Sequence, residues 1–95
     1  MRGTTKLPNI IGYHEVADVD HWLSSDMREK AFGPLGITNI RTYVDPTNPK
    51  RVAISADVPD VDALVAFLQS EDGAAAAASD GVALETVVLL VEARP

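Results

Sequence analysis

The chain has 95 residues, 46% of them hydrophobic, which suits one compact domain; its net charge of -6, with no basic cluster larger than Lys50-Arg51, argues against nucleic acid or an anionic membrane as partner. Cysteine is absent, which excludes disulfides, thiolate catalysis and cysteine-based metal centres. No run approaches the roughly 18 apolar residues of a membrane span, and Met1-Arg2-Gly3-Thr4-Thr5-Lys6 lacks the apolar region of a signal peptide, so a cytoplasmic location is expected.

Residues 1–8 are polar and end at Pro8, which reads as a flexible tail before a single domain over 9–95. Asn9 to Val16 is short, apolar at Ile10, Ile11, Tyr13 and Val16, and carries Gly12, which disfavours a helix; it is the first predicted strand. Asp18 and Asp20 offer capping oxygens, and Val19, Trp22, Leu23, Met27 and Ala31 recur at helical spacing, predicting a helix over 19–32. Gly33, as a left-handed cap, and Pro34 stop it.

The clearest local signal follows. Ile37 to Val44 and Arg51 to Val58 are strand-like runs, and Asp45-Pro46-Thr47-Asn48-Pro49 between them is turn chemistry, so a hairpin with a long loop is expected. Pro59 and Asp60 then break the sheet, and Val61, Leu64, Val65 and Leu68 form the apolar face of a second helix. Ser70 to Gly73 interrupts it, and Ala74 to Ala78 resumes it until Asp80-Gly81, predicting two helical segments meeting at a bend. The small alanine side chains let that helix sit close to a sheet. Leu84 to Ala93 closes the chain as an apolar strand with Thr86, Val88 and Leu90 on one parity and Val87, Leu89 and Val91 on the other.

The order strand, helix, strand, strand, helix, strand predicts an α+β, ferredoxin-like βαββαβ fold: a four-stranded antiparallel sheet with both helices on one face. A domain of this length buries only about 60–65% of its unfolded surface. With the last strand apolar on both parities, a homodimer closing two sheets into a barrel is the simplest cover for the second face.

The run His14-Glu15-Val16-Ala17-Asp18 followed by Trp22, the entry Gly36-Ile37 into a strand holding Arg41 and Tyr43, the Asp45-Pro46 and Asn48-Pro49 turn, Asp57-Val58-Pro59-Asp60 and Gly81-Val82 resemble small dimeric α/β-barrel proteins. These are similar to antibiotic-biosynthesis monooxygenases and stress-responsive barrel proteins. The resemblance covers about residues 9–93 and implies the fold. Its members include cofactor-free monooxygenases, polyketide cyclases and haem-handling proteins; the first of these use an Asn, Trp and His constellation, for which Asn9, Trp22 and His14 are the residues available here, none of them in a diagnostic motif.

Strand parity nominates the other candidates. With Val52, Ile54, Ala56 and Val58 toward the helices, Ser55 and Asp57 face away; with Ile40 and Val44 toward the helices, so do Arg41 and Tyr43. Arg41 suits an anionic or carbonyl ligand and Tyr43 a hydrogen bond or proton, against the plainer reading in which Arg41 pairs with an acid at a dimer rim and Tyr43 packs. His14 shares parity with Ile10, Gly12 and Val16 and is either a general base or a buried structural histidine. Trp22, on the apolar helix face, reads as core or as a ligand contact. His14, Asp18 and His21 would have to converge from a strand and a helix to bind a metal; no metal or cofactor is expected. The functional expectation is a small organic ligand bound between sheet and helices or between two sheets, with a cofactor-independent monooxygenase or cyclase of aromatic or polyketide-like substrates as the alternative.

Overall fold

The computed structural model describes residues 8–93; the tail expected over 1–8 otherwise lies outside the described residues. Four strands, β1 (Asn9–Val16), β2 (Thr38–Val44), β3 (Arg51–Asp57) and β4 (Val82–Val91), form one antiparallel sheet in the order β2-β3-β1-β4. Helices α1 (Val19–Ser24) and α2 (Met27–Phe32) join β1 to β2, and α3 (Val61–Leu68) and α4 (Glu71–Asp80) join β3 to β4. This is the ferredoxin-like α+β fold, with two split crossovers packing their helices on one face of the sheet.

The hairpin forms because its loop bonds itself. Asp45 Oδ1 accepts the Thr47 backbone N–H and the Thr47 hydroxyl, each at 2.8 Å, and Asn48 Oδ1 accepts the Lys50 N–H at 3.1 Å. Those bonds to Thr47 hold the Asp45 carboxyl below its ordinary pKa.

The first helical stretch is not continuous, contrary to the expectation over 19–32. Ser25 takes an extended conformation, its hydroxyl accepts the Met27 N–H at 3.1 Å, and Ser24 Oγ donates to the His21 carbonyl at 3.0 Å. Serine side chains here compete for the backbone groups that a continuous ladder would use. The left-handed residue expected at Gly33 is instead Gly36, with φ 73°; Gly33 has φ -52° and opens a 3-10 turn that carries Pro34 in its first turn.

The bend between α3 and α4 forms as expected, but the interruption is shorter than Ser70 to Gly73: it is confined to Gln69 and Ser70, and Glu71 to Gly73 already belong to α4. Ser70 Oγ accepts the Gly73 N–H at 3.0 Å, and Gly81 closes α4 at φ 72°. A Cβ on Gly73 would fall 2.0 Å from the Phe67 carbonyl oxygen, so only glycine allows the two helices to meet this closely.

Strand β4 starts two residues earlier than expected and carries a bulge. Tyr13 pairs with Val88, but Glu15 pairs with Ala83. Thr86 Oγ1 fills the gap, accepting the Glu15 N–H at 2.9 Å and donating to the Ala83 carbonyl at 2.6 Å. The bulge switches parity, so Val82 and Leu84 lie on the same side as Val87 and Leu89, and the simple alternation expected for β4 holds only beyond it.

The core divides in two. Ile10, Ile37, Ala56, Val58 and Leu64 form one cluster, and Val16, Trp22 and Val52 the other, all between sheet and helices. The opposite face of the sheet presents two rows across the strands: Tyr43, Ala53, Tyr13 and Val88 in one, Arg41, Ser55, Ile11 and Leu90 in the next. Ile11, Tyr13, Tyr43, Val88 and Leu90 are exposed there.

Candidate functional site

Between the two core clusters the sheet and helices do not meet fully. Gly12 contributes no side chain to the helix-facing side of β1, and Ala31, Ala76 and Ala77 supply only methyl groups from the helices. The result is a partly open, mostly apolar cavity of about 100 Å³. The alanines of α4 thus line a space as well as permitting approach.

One end of the cavity is polar. His14, Arg28 and Asp80 line it and are buried, and Trp22 forms the wall between the first two. The His14 and Trp22 rings meet edge to face with centroids 5.7 Å apart, and the Arg28 guanidinium lies 4.4 Å over the indole. Arg28 donates from NH1 to the Trp22 carbonyl at 2.9 Å and from NH2 to the Ser25 carbonyl at 3.4 Å; among the described residues its Nε–H has no partner. Asp80 Oδ2 stands 3.7 Å from NH1, and Oδ1 accepts the Ser25 hydroxyl at 2.5 Å. The break between α1 and α2 therefore sets this end of the cavity, since both serine backbone and side chain hold the charged pair.

His14 donates from Nδ1 to the Glu15 carbonyl over a long 3.4 Å. The tautomer this contact favours carries the proton on Nδ1 and has Nε2 as its basic nitrogen. Burial lowers its pKa from the ordinary histidine value, the Glu15 contact opposes that, the Arg28 charge adds to the lowering, and Asp80 opposes it. The imidazole is accordingly neutral at pH 7, the form in which a histidine accepts a proton.

The remaining sequence-nominated residues lie on the other face of the sheet. Tyr43 and Ser55 share a hydrogen bond of 3.0 Å, and Arg41 is the register partner of Ser55. Asp57 is engaged at the edge of this group, accepting from Asn9 Nδ2 at 3.2 Å and from Asn39 Nδ2 at 2.6 Å. The sheet thus separates His14 and Trp22 from Arg41, Tyr43, Ser55 and Asp57, and one chain does not bring the two sets into one site. Asn9 lies five residues along β1 from His14, roughly 17 Å at strand rise, so Asn9, Trp22 and His14 do not converge either. His21 donates from Nε2 to the Ser79 carbonyl at 2.7 Å, and Asp18 caps α1. Among the described residues no group of three His, Asp or Glu side chains is placed to hold a metal.

Arg28 and Asp80 were not nominated by the sequence. Spacing gave no signal for Arg28: in a continuous helix it would lie about 120° around from Trp22, and it meets Trp22 only because the helix breaks at Ser25.

No protein-family model matches the sequence, and no curated protein matches it. Solved structures do. A putative antibiotic biosynthesis monooxygenase from Bordetella bronchiseptica superposes with a TM-score of 0.69 at 19% identity, over 96% of this chain and 99% of that one. One so named from Nitrosomonas europaea gives 0.65 at 11% identity, over 99% and 95%. This chain shares their fold. A Pseudomonas aeruginosa protein, at 0.58 and 11% identity over 99% of both chains, has it too. At such identities the likeness is one of architecture alone. No helix among the described residues is long and apolar enough to cross a membrane.

Proposed function

We propose that the chain binds a small, largely apolar organic molecule in the cavity between sheet and helices, with a polar group of that molecule directed at His14 Nε2. The observation that carries this reading is the coincidence of an apolar cavity with a buried, neutral histidine at its polar end. The size is modest: an apolar cavity of about 150 Å³ holds benzene, so this partly open one of about 100 Å³ suits a short chain, or a single ring that extends beyond its mouth. The test is titration of single-ring carbonyl and hydroxyl compounds followed by the fluorescence of Trp22, the sole tryptophan. Saturable change that His14→Gln weakens at unchanged melting temperature supports the reading; no response to any compound removes it.

A second reading is catalytic, and His14 favours it. Transfer of a ligand O–H or C–H proton to Nε2 is the opening step shared by cofactor-independent oxygenation of an aromatic compound and by cyclisation of a polyketide-like chain. The names of the Bordetella and Nitrosomonas structures accord with the first. In either reading the functional unit is a homodimer formed through the exposed rows of the sheet, where Ile11, Tyr13, Val88 and Leu90 supply apolar surface. Tyr43, Ser55 and Arg41 then belong to that interface or to a ligand held within it.

A further inference from the structure

We propose that Asp80 sets the charge class of the ligand: by neutralising Arg28 at the polar end of the cavity it restricts the site to uncharged molecules, and its removal converts the same cavity to a carboxylate-binding one. This rests on the cavity reading above.

The charged groups lining the cavity are few. Arg28 supplies one positive charge and Asp80 one negative, with side chains only 8% and 6% exposed. His14 is the one further titratable group in the lining, and burial keeps it neutral. The lining therefore sums to zero. A carboxylate entering it would leave an uncompensated negative charge against apolar walls, where desolvation is costly. An uncharged ligand carries no such penalty. If it gives a proton to His14, the ligand anion and the imidazolium appear together and the sum stays at zero.

Geometry makes Asp80 the adjustable member. At 3.7 Å its Oδ2 is too far from NH1 for a hydrogen bond, so it acts on Arg28 through charge rather than by filling a donor. Its position is held independently, by the Ser25 hydroxyl on Oδ1. Asparagine keeps that acceptor and nearly the same shape while removing the charge. Arg28 is then a buried cation, with an Nε–H already lacking a partner among the described residues. A ligand carboxylate supplies the anion that is missing.

The test compares benzamide with the isosteric benzoate at pH 7.5, on the wild-type chain and Asp80→Asn, by calorimetric titration and thermal unfolding. The wild type is expected to favour benzamide by roughly tenfold or more, and Asp80→Asn to reverse that order, with benzoate raising its melting temperature. Equal or tighter binding of benzoate by the wild type overturns the proposal, as does a folded Asp80→Asn with no gain for benzoate. Should the variant unfold, recovery of its far-ultraviolet dichroism on adding benzoate but not benzamide supports the proposal, and recovery with neither overturns it. The double variant Asp80→Asn, Arg28→Met is expected to lose the benzoate gain. Failure of the wild type to bind either compound is a different result, which defeats the cavity reading and this inference with it.

Discussion

Arg28 stacks its guanidinium on the indole of Trp22, the central carbon 4.4 Å from the ring centroid, and donates from NH1 to the carbonyl of the same residue at 2.9 Å. The two therefore form one unit, in which a fully buried ring and a buried cation fix each other beside the cavity. Replacing Trp22 by alanine removes apolar burial and the cation's platform together. A loss of about 3–5 kcal/mol is expected from the cavity alone, and denaturant unfolding measures it; Trp22→Phe, which keeps a ring, is expected to lose less.

The two faces of β4 make opposite predictions for neighbouring residues. Val88 is exposed on the open face, whereas Leu89 lines the cavity and packs on the core. Val88→Asp is expected to leave a folded chain that no longer dimerises. Leu89→Asp is expected to destabilise the fold itself by roughly 3 kcal/mol or more. Light scattering and circular dichroism on the pair separate these outcomes; a wild-type monomer at micromolar concentration contradicts the dimer.

His14 gives a pH dependence with a definite sign. Burial, the leading cause, lowers its pKa in the folded chain, so the unfolded chain binds the proton first as pH falls. The histidine's contribution to stability is whole above its unfolded pKa of about 6.5 and is lost as pH falls through the lower folded value. The difference in melting temperature between wild type and His14→Gln is therefore expected to shift against the wild type between pH 7.5 and 5.5. A difference that is flat, or that moves the other way, contradicts a buried neutral His14.

Gly73→Ala tests the junction of α3 and α4. Its Cβ would fall 2.0 Å from the Phe67 carbonyl oxygen, a contact that only backbone movement relieves. A loss of about 1–3 kcal/mol is expected, despite the higher helix propensity of alanine. A neutral or stabilising effect in thermal unfolding would show that the junction relaxes.

Local chemistry explains what the sequence disclosed. Turn residues from Asp45 to Lys50 bond to one another within the loop, and the strands beside them alternate with period two from Arg41 onward, past a register shift between Thr38 and Arg41, so the hairpin and the outward parity of Arg41 and Tyr43 were legible. The break at Ser25 was not, because the serine's alternative partner, Asp80, lies 55 residues away. The β4 bulge was equally hidden, since Thr86 fills it by bonding the backbone of Glu15 on another strand. His14 was legible as a candidate by its chemistry, but its cavity comes from Gly12, Ala31, Ala76 and Ala77 meeting across two layers. Arg28 looked like one more charge on a helix until that helix was placed.

The proposed ligand site lies on the helix side of the sheet. Amide and side-chain chemical shifts of the labelled chain, followed while a single-ring carbonyl compound such as benzamide is titrated in, test that placement most directly. Saturable shifts are expected at His14, Trp22, Arg28 and Ala77, with Tyr43 and Ser55 unmoved. Shifts confined to Arg41, Tyr43 and Ser55, with His14 and Trp22 unchanged, would contradict it.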